Sequence, residues 1–459
     1  MLVAAKASLA HPGRQLPARL GLCSNKTPTL QGNLSQRGNI LDVMDVCNFR
    51  GDTMKTNFSF LLLILFLLVA CVPPSPAPTV SPSSAPVSVG SCLITPHNYA
   101  RQDNPIPIAA LVNFPGSDEI NLIWRDGTTV GTWQTGFLVP RTNAHVAGVA
   151  PGWGEAVPLV FMGSDENGLI HLNVGMDGKV NSLKEFPQTV AVTGLVGIPG
   201  RPVLAYSTVE PRPDGSGVRS QIFLGDYQTI ATASPILTVD NNESRAVLPV
   251  AIHRDINNKP DGLWYTYSLW GIGGDSLTDP RSGLYYFDLA TGESMEFLSM
   301  GCNFSDLSTM QNWAAWTSDG VLYSADLHTA KTVSFPRLAG NDRGPVHAFI
   351  GPGDGYVAWL EGKGSEWDGT LKTTVRIGTL EGYLIGEYPL SAFVTPSGLG
   401  EGIALLPLGW MASENYSLVL AVYNASVDRA VLLSLDANNG QISLLSELGE
   451  GNFAGFAYP

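Results

Sequence analysis

Residues that could do chemistry gather in two stretches of the chain. The first runs His253-Arg254-Asp255-Ile256-Asn257-Asn258-Lys259-Pro260-Asp261-Gly262. Asp255, Asn257 and Asp261 offer oxygen ligands at spacings loosely like those of a calcium loop, but no bidentate acid follows at the required distance. A polar turn is the simpler reading. Directly after it come Trp264-Tyr265-Thr266-Tyr267-Ser268-Leu269-Trp270 and a Gly-rich run to Asp275. Trp264 and Trp270 beside a flexible loop could stack on a sugar or peptide, with Asp255, Asp261 and Asp275 at its edges. The competing reading is that aromatics at period two simply pack between sheets. The second stretch is Glu361-Gly362-Lys363-Gly364-Ser365-Glu366-Trp367-Asp368-Gly369. Here Glu366 and Asp368 could act as an acid/base pair in glycoside chemistry; the alternative is a solvated hairpin loop.

Other chemistries lack their residues. The chain has no Gly-x-Ser-x-Gly elbow, no His-Glu-x-x-His and no phosphate-cradling loop, and its seven histidines are dispersed. No Cys-x-x-Cys or Cys/His spacing points to a metal, so neither a metal site nor a cofactor is expected. The formal charge is −14, and beyond residue 70 lie 19 basic and 37 acidic residues, a net of −18. That field repels phosphate backbones and excludes nucleic acid as an expected partner.

The most informative cysteine is Cys71. Met54-Lys55-Thr56-Asn57 precede an apolar run over residues 58–70 that ends Leu68-Val69-Ala70-Cys71. A short basic region, an apolar stretch of about 7–15 residues and small residues at the cut define an export signal. The run is shorter than the roughly 20 apolar residues a membrane-crossing helix needs. This segment resembles a bacterial lipobox, and the resemblance implies cleavage before Cys71 and diacylation of its thiol. Residues 72–89 are almost entirely Pro, Ser, Ala, Val and Thr, a composition that cannot pack and makes an extended tether. The expected division is therefore a spurious or disordered extension over 1–53, with Met54 the true initiator, then a signal at 54–70. A lipidated cysteine and linker follow at 71–91, and a folded domain at 92–459. After processing, Cys92 and Cys302 remain; outside the cytoplasm they could pair, or they could be two separate buried thiols.

The elements that must position these loops recur. Short runs rich in Val, Ile, Leu, Tyr and Trp alternate with Asp/Gly/Asn turns in seven units about 50 residues apart, the first starting at Ile108 and the last at Ser417. Periods of about 40–50 residues suggest propeller blades, small antiparallel sheets that bury both faces only by stacking round an axis. The runs Val357-Ala358-Trp359-Leu360 and Leu418-Val419-Leu420-Ala421-Val422 suit inner strands covered on both faces. Tyr286-Phe287-Asp288-Leu289-Ala290-Thr291-Gly292-Glu293 and Ser434-Leu435-Asp436-Ala437-Asn438-Asn439-Gly440-Gln441 resemble the outer hairpins of TolB-like and other WD40-like β-propellers. This resemblance covers most of residues 106–449 and implies an architecture rather than an activity. Two tandem β-sandwiches are the alternative, disfavoured because they need no unit near 50 residues. Either residues 92–108 or the C-terminal residues 452–458 should complete a blade shared by both ends.

The sequence thus predicts an all-β, roughly seven-bladed propeller tethered by lipid to a membrane outside the cytoplasm. Its expected role is a non-enzymatic binding or interaction scaffold whose partners are envelope proteins or glycans. The alternative is a glycan-acting hydrolase or lyase with carboxylates on one propeller face.

Overall fold

Strands of β-branched and aromatic residues, cut by Asp, Gly and Asn turns, form seven antiparallel sheets. The computed structural model describes residues 85–459 except 103, 114–118, 138–158, 166, 177–178, 199–200, 202, 243–244, 270–280, 365–370, 413–415, 450–451 and 459. Residues 1–84, with the signal segment and Cys71, lie outside the described residues.

Blade 1 contains Ala109–Asn113, Glu119–Trp124 and Thr129–Gln134, with the C-terminal Asn452–Ala457 as its strand nearest the axis. Blade 2 has three described strands, Leu159–Ser164, Ile170–Met176 and Lys179–Phe186. Blade 3 runs from Ala191–Gly197 through Val203–Pro211 and Val218–Asp226 to Leu237–Asn241. Blade 4 has Arg245–Arg254, Pro260–Leu269, Arg281–Asp288 and Ser294–Leu298, and at its outer edge it gains Cys92–Ile94 and Val87–Val89. Blades 5, 6 and 7 start at Asn303–Leu307, Arg343–Ile350 and Ile403–Ala412, and end at Thr332–Phe335, Leu384–Pro389 and Ile442–Gly449.

Burial shows that the ring is closed. Seven apolar layers each join two neighbouring blades, and the last couples Ala110, Val112 and Ile123 of blade 1 to Met411, Val419 and Leu432 of blade 7. Closure falls to the C-terminus, where Phe453 pairs with Val112 and Ala457 with Ala109. The N-terminal segment instead widens blade 4, so of the two candidates for the shared blade only residues 452–458 serve.

One sequence expectation needs correction. The apolar runs at 357–360 and 418–422 lie on second strands, Tyr356–Lys363 and Tyr416–Asn424, and not on the innermost ones. True inner strands are less regular: each described inner pair in blades 1 and 3–7 contains a register shift. They also carry Pro249, Pro345 and Pro407, tolerated because one edge of an innermost strand has no neighbour to bond. In blade 3 a short 3-10 turn at Ile230–Thr232 precedes the outer strand Leu237–Asn241.

The Asp-x-x-x-Gly pieces prove to be the outer hairpin turns. Asp288 accepts hydrogen bonds from the N–H groups of Ala290 and Thr291, both at 2.8 Å, and Asp436 from those of Asn438 and Asn439. These bonds, the Thr291 N–H first, hold the Asp288 carboxyl below the usual carboxylate range. Blade 5 repeats the turn with Asp326, and Ala330 takes the left-handed position there with φ 56°. At Gly292, with φ 73°, a Cβ would meet nothing within 4 Å, so its preference for glycine is purely conformational. Gly292→Ala is expected to cost about 1–2 kcal/mol, the penalty of a left-handed L-residue. Chemical denaturation should register this as a lower midpoint with unchanged slope.

Candidate functional site

Because all blades are antiparallel, their turns sort onto two faces of the ring. Turns joining first to second and third to fourth strands share one face; links between second and third strands, and between blades, share the other. Residues 95–107 cross the first face as a strap. From the outer edge of blade 4, His97 donates its N–H to Leu327 O and Gln102 to Met310 O, both on turns of blade 5. The strap then meets the ends of inner strands across the ring: Ala412 N–H donates to Pro107 O in blade 7, and Ile108 N–H to Ala457 O in blade 1. One mouth of the ring is therefore spanned from blade 4 to blades 7 and 1.

Strap and ring meet through a cluster of buried polar and aromatic side chains. His253, 2% exposed at the end of the inner strand of blade 4, sets Nδ1 2.6 Å from Asp261 Oδ1 and Nε2 2.8 Å from Ala100 O in the strap. Gln102 accepts from the Arg254 N–H, and Asn104 from the Arg254 guanidinium at 2.8 Å. Tyr99 inserts among Trp264, Phe297, His253 and His328, stacking on the last with ring centres 4.2 Å apart. Its hydroxyl donates to Gln311 O. Burial pushes the Tyr99 phenol far up and, helped by Arg101, pushes His328 down. Gln311 is the hub: its side chain accepts from Trp264 Nε1 at 2.9 Å and donates to Ile252 O at 3.2 Å. Beside it, Asp354 has one buried carboxylate oxygen without a partner, and burial raises this carboxyl above its ordinary value.

The sequence-predicted residues divide accordingly. Asp261 and Trp264 come together at the strap, but Trp264 is fully buried between blades 4 and 5 and offers no stacking platform. Tyr265 and Tyr267 point to the other side of the sheet, toward blade 3, where Tyr265 stacks on Tyr285. Asp255 accepts the N–H groups of Asn257 and Lys259, each at 2.8 Å, so it holds its own turn. Cys92 and Cys302 form a disulfide. Trp270, Asp275, Glu366 and Asp368 lie outside the described residues. Glu361, at the start of the second polar stretch, is not in a loop; it is fully buried on a strand, 2.6 Å from Arg376 and accepting from Trp359 Nε1.

Sequence reasoning named His253 only as the start of a polar stretch and missed Tyr99, Gln311 and Asp354, since nothing in the local pattern says that residues 95–107 lie on blades 4 and 5. It also missed a row in blade 2. There Asp165 accepts from the N–H groups of Asn167 and Leu169, its other oxygen lies 3.4 Å from His171 Nε2, and His171 Nδ1 faces Ser182 Oγ at 3.0 Å. This row ties a hairpin turn to the outer strand of its blade.

Fold and site together define a seven-bladed β-propeller with one mouth strapped by its N-terminal segment. No family model and no curated protein matches the sequence. Among solved structures, the chain is similar to a putative TolB from Agrobacterium tumefaciens, at 11% identity over 77% of this chain and 93% of that one, TM-score 0.35. It is similar to an oligogalacturonate lyase from Vibrio parahaemolyticus, at 13% identity over 75% and 87%, TM-score 0.43. A Lactobacillus plantarum protein matches at 13% identity over 76% and 98%, TM-score 0.40. At these identities the likeness extends to the fold alone.

Two outcomes test the strap site. Gln311→Ala leaves Trp264 Nε1 and Ile252 O unpaired, each orphaned group costing about 1–3 kcal/mol. The variant should lose roughly 2–4 kcal/mol of stability, with faster amide exchange across residues 97–104. Asp354→Asn should raise the unfolding midpoint at neutral pH. A carboxyl whose folded pKa lies above its ordinary 3.8 resists ionisation in the fold, so wild type loses stability as pH rises through that value. The gap between variant and wild type should accordingly narrow as pH falls toward 3.8.

Proposed function

We propose that the chain is a lipid-anchored, extracytoplasmic propeller that binds a protein or glycan of the cell envelope through the face opposite the strap. The observation that carries this reading is the strap itself. It occupies one mouth, and several acids on that face serve the fold: Asp255, Asp288, Asp326 and Asp436 hold their own turns, and Asp261 meets His253. On the opposite face end the strands that flank the Gly-rich run and the second polar stretch, at Leu269 and Arg281 in blade 4 and at Lys363 and Lys372 in blade 6. Support for the compartment comes from the Cys92–Cys302 disulfide, a bond that persists in oxidising surroundings, and from the signal anatomy before Cys71. Two or more acyl chains on Cys71 would anchor durably where one would not, at about 0.8 kcal/mol per buried CH₂.

Cys71→Ala tests the anchor. Wild type should incorporate labelled palmitate, gain the mass of a diacylglyceryl group and sediment with membranes; the variant should do none of these. A mature wild type that retains residues 58–70 and carries no acyl group overturns the reading. The unlipidated domain, screened on a glycan array and by envelope pull-down, should bind without turnover. Turnover of an arrayed glycan, lost in Glu366→Gln or Asp368→Asn, would replace the scaffold by a glycan-acting enzyme.

A further inference from the structure

The chain enters the ring at one point, and that point is built unlike the other blade edges. Residues 87–94 form a short hairpin in which Val89 pairs with Cys92, and Ile94 alone pairs with Leu298 of blade 4. Around it the contacts are individually weak. Leu93 N–H donates to Ser299 Oγ at 2.9 Å, Thr95 N–H to Phe297 O at 3.0 Å, and Ser91 Oγ to Gly301 O at 3.2 Å. The strap beyond is held by contacts spaced along its length: hydrogen bonds at His97, Ala100, Gln102, Asn104 and Pro107, and the inserted ring of Tyr99. Such bonds, met one after another by a pull on the chain end, open in turn like a zip, because each carries the whole load when its moment comes.

One link differs. The Cys92–Cys302 disulfide stands at the entry point and joins the hairpin to the connection between blades 4 and 5, 210 residues further along the chain. Both sulfurs are buried, Cys92 being 1% and Cys302 0% exposed. The consequence is topological. Any force applied before residue 92 passes through the bridge to residue 302, so residues 93–301, the strap among them, lie inside a covalently closed loop that the covalent load path bypasses.

We propose that this disulfide is a strain relief: it routes tension arriving through the N-terminal tether into the junction of blades 4 and 5, past the strap, so that the strapped mouth stays closed while the domain is pulled. A tether under tension is what the anchored reading above supplies, and the device rests on that reading for its use. Its mechanics can be tested without any lipid.

Single-molecule pulling on the unlipidated full-length domain from residue 71 to its C-terminus, with handles on the Cys71 thiol and on the last residue, decides the matter. In the oxidised wild type no early step should release the strap, and residues 93–301 should stay hidden from the extension curve. In Cys92→Ser/Cys302→Ser the first event should fall to half the wild-type force or less and release residues 87–108, about 75 Å of contour at 3.3–3.6 Å per residue. Should the double variant fail to fold, wild type folded oxidised and then held under load in a dithiol reductant gives the same comparison on a ring already closed. The proposal is overturned if the oxidised protein shows the early strap step, or if loss of the bridge leaves the first event unchanged. Neither result depends on whether Cys71 carries palmitate, so failure here and failure of the anchoring experiment remain distinguishable.

Discussion

Every feature of this chain depends on one constraint: each small sheet is apolar on both faces and has to be covered twice. Trp264, Trp316 and Trp359, fully buried on the second strands of blades 4, 5 and 6, fill the layers between neighbouring blades. Each layer holds eight or more buried residues, and a fully buried large side chain contributes about 1.5–3 kcal/mol. Opening one layer would thus forfeit an amount comparable with the whole net stability of a domain, about 5–15 kcal/mol. Covering all faces requires a closed ring, and a ring built from one chain has to be closed by its ends. Here the C-terminal strand completes blade 1 from the axis side, bonding to a strand more than 300 residues earlier.

The same closure explains why polar chemistry concentrates at the strap. Once the C-terminus has taken the inner position of blade 1, the segment entering that blade at Ala109 has to come from outside the ring, and it does so across a mouth. A peptide laid over strand ends meets their unpaired carbonyls and amides, which need partners away from water. Gln311, Asn104, Gln102 and His253 supply them. Their burial follows from this geometry, and Asp354 keeps one buried oxygen without a partner.

Strand regularity is highest in the middle of the sheets for a related reason. Second and third strands lie between neighbours on both edges and pair in continuous register in every blade but blade 4, as in Ser417↔Asp436 through Asn424↔Arg429. Register shifts gather in the pairings of innermost and outermost strands, and prolines enter the innermost strands of blades 4, 6 and 7, where one edge is free. A reading that seeks unbroken apolar runs therefore finds the second strand and takes it for the first.

What the sequence by itself determined was everything carried by local pattern: strands at period two, Asp-capped turns, a repeat near 50 residues and hence a propeller. A unit that cannot cover its own faces has few other architectures open to it. The period also located the outer three strands of most blades, and the C-terminal residues 452–458 were one of two candidates for closure. Only the tertiary structure decided which end closes the ring, that Cys92 meets Cys302, that Trp264 is core and that Glu361 belongs to a buried pair with Arg376. Each of these joins elements of different blades or strands, or depends on which face of a sheet a neighbouring blade covers. No spacing along the chain encodes such meetings; they exist once stacked sheets have brought distant segments to the same place.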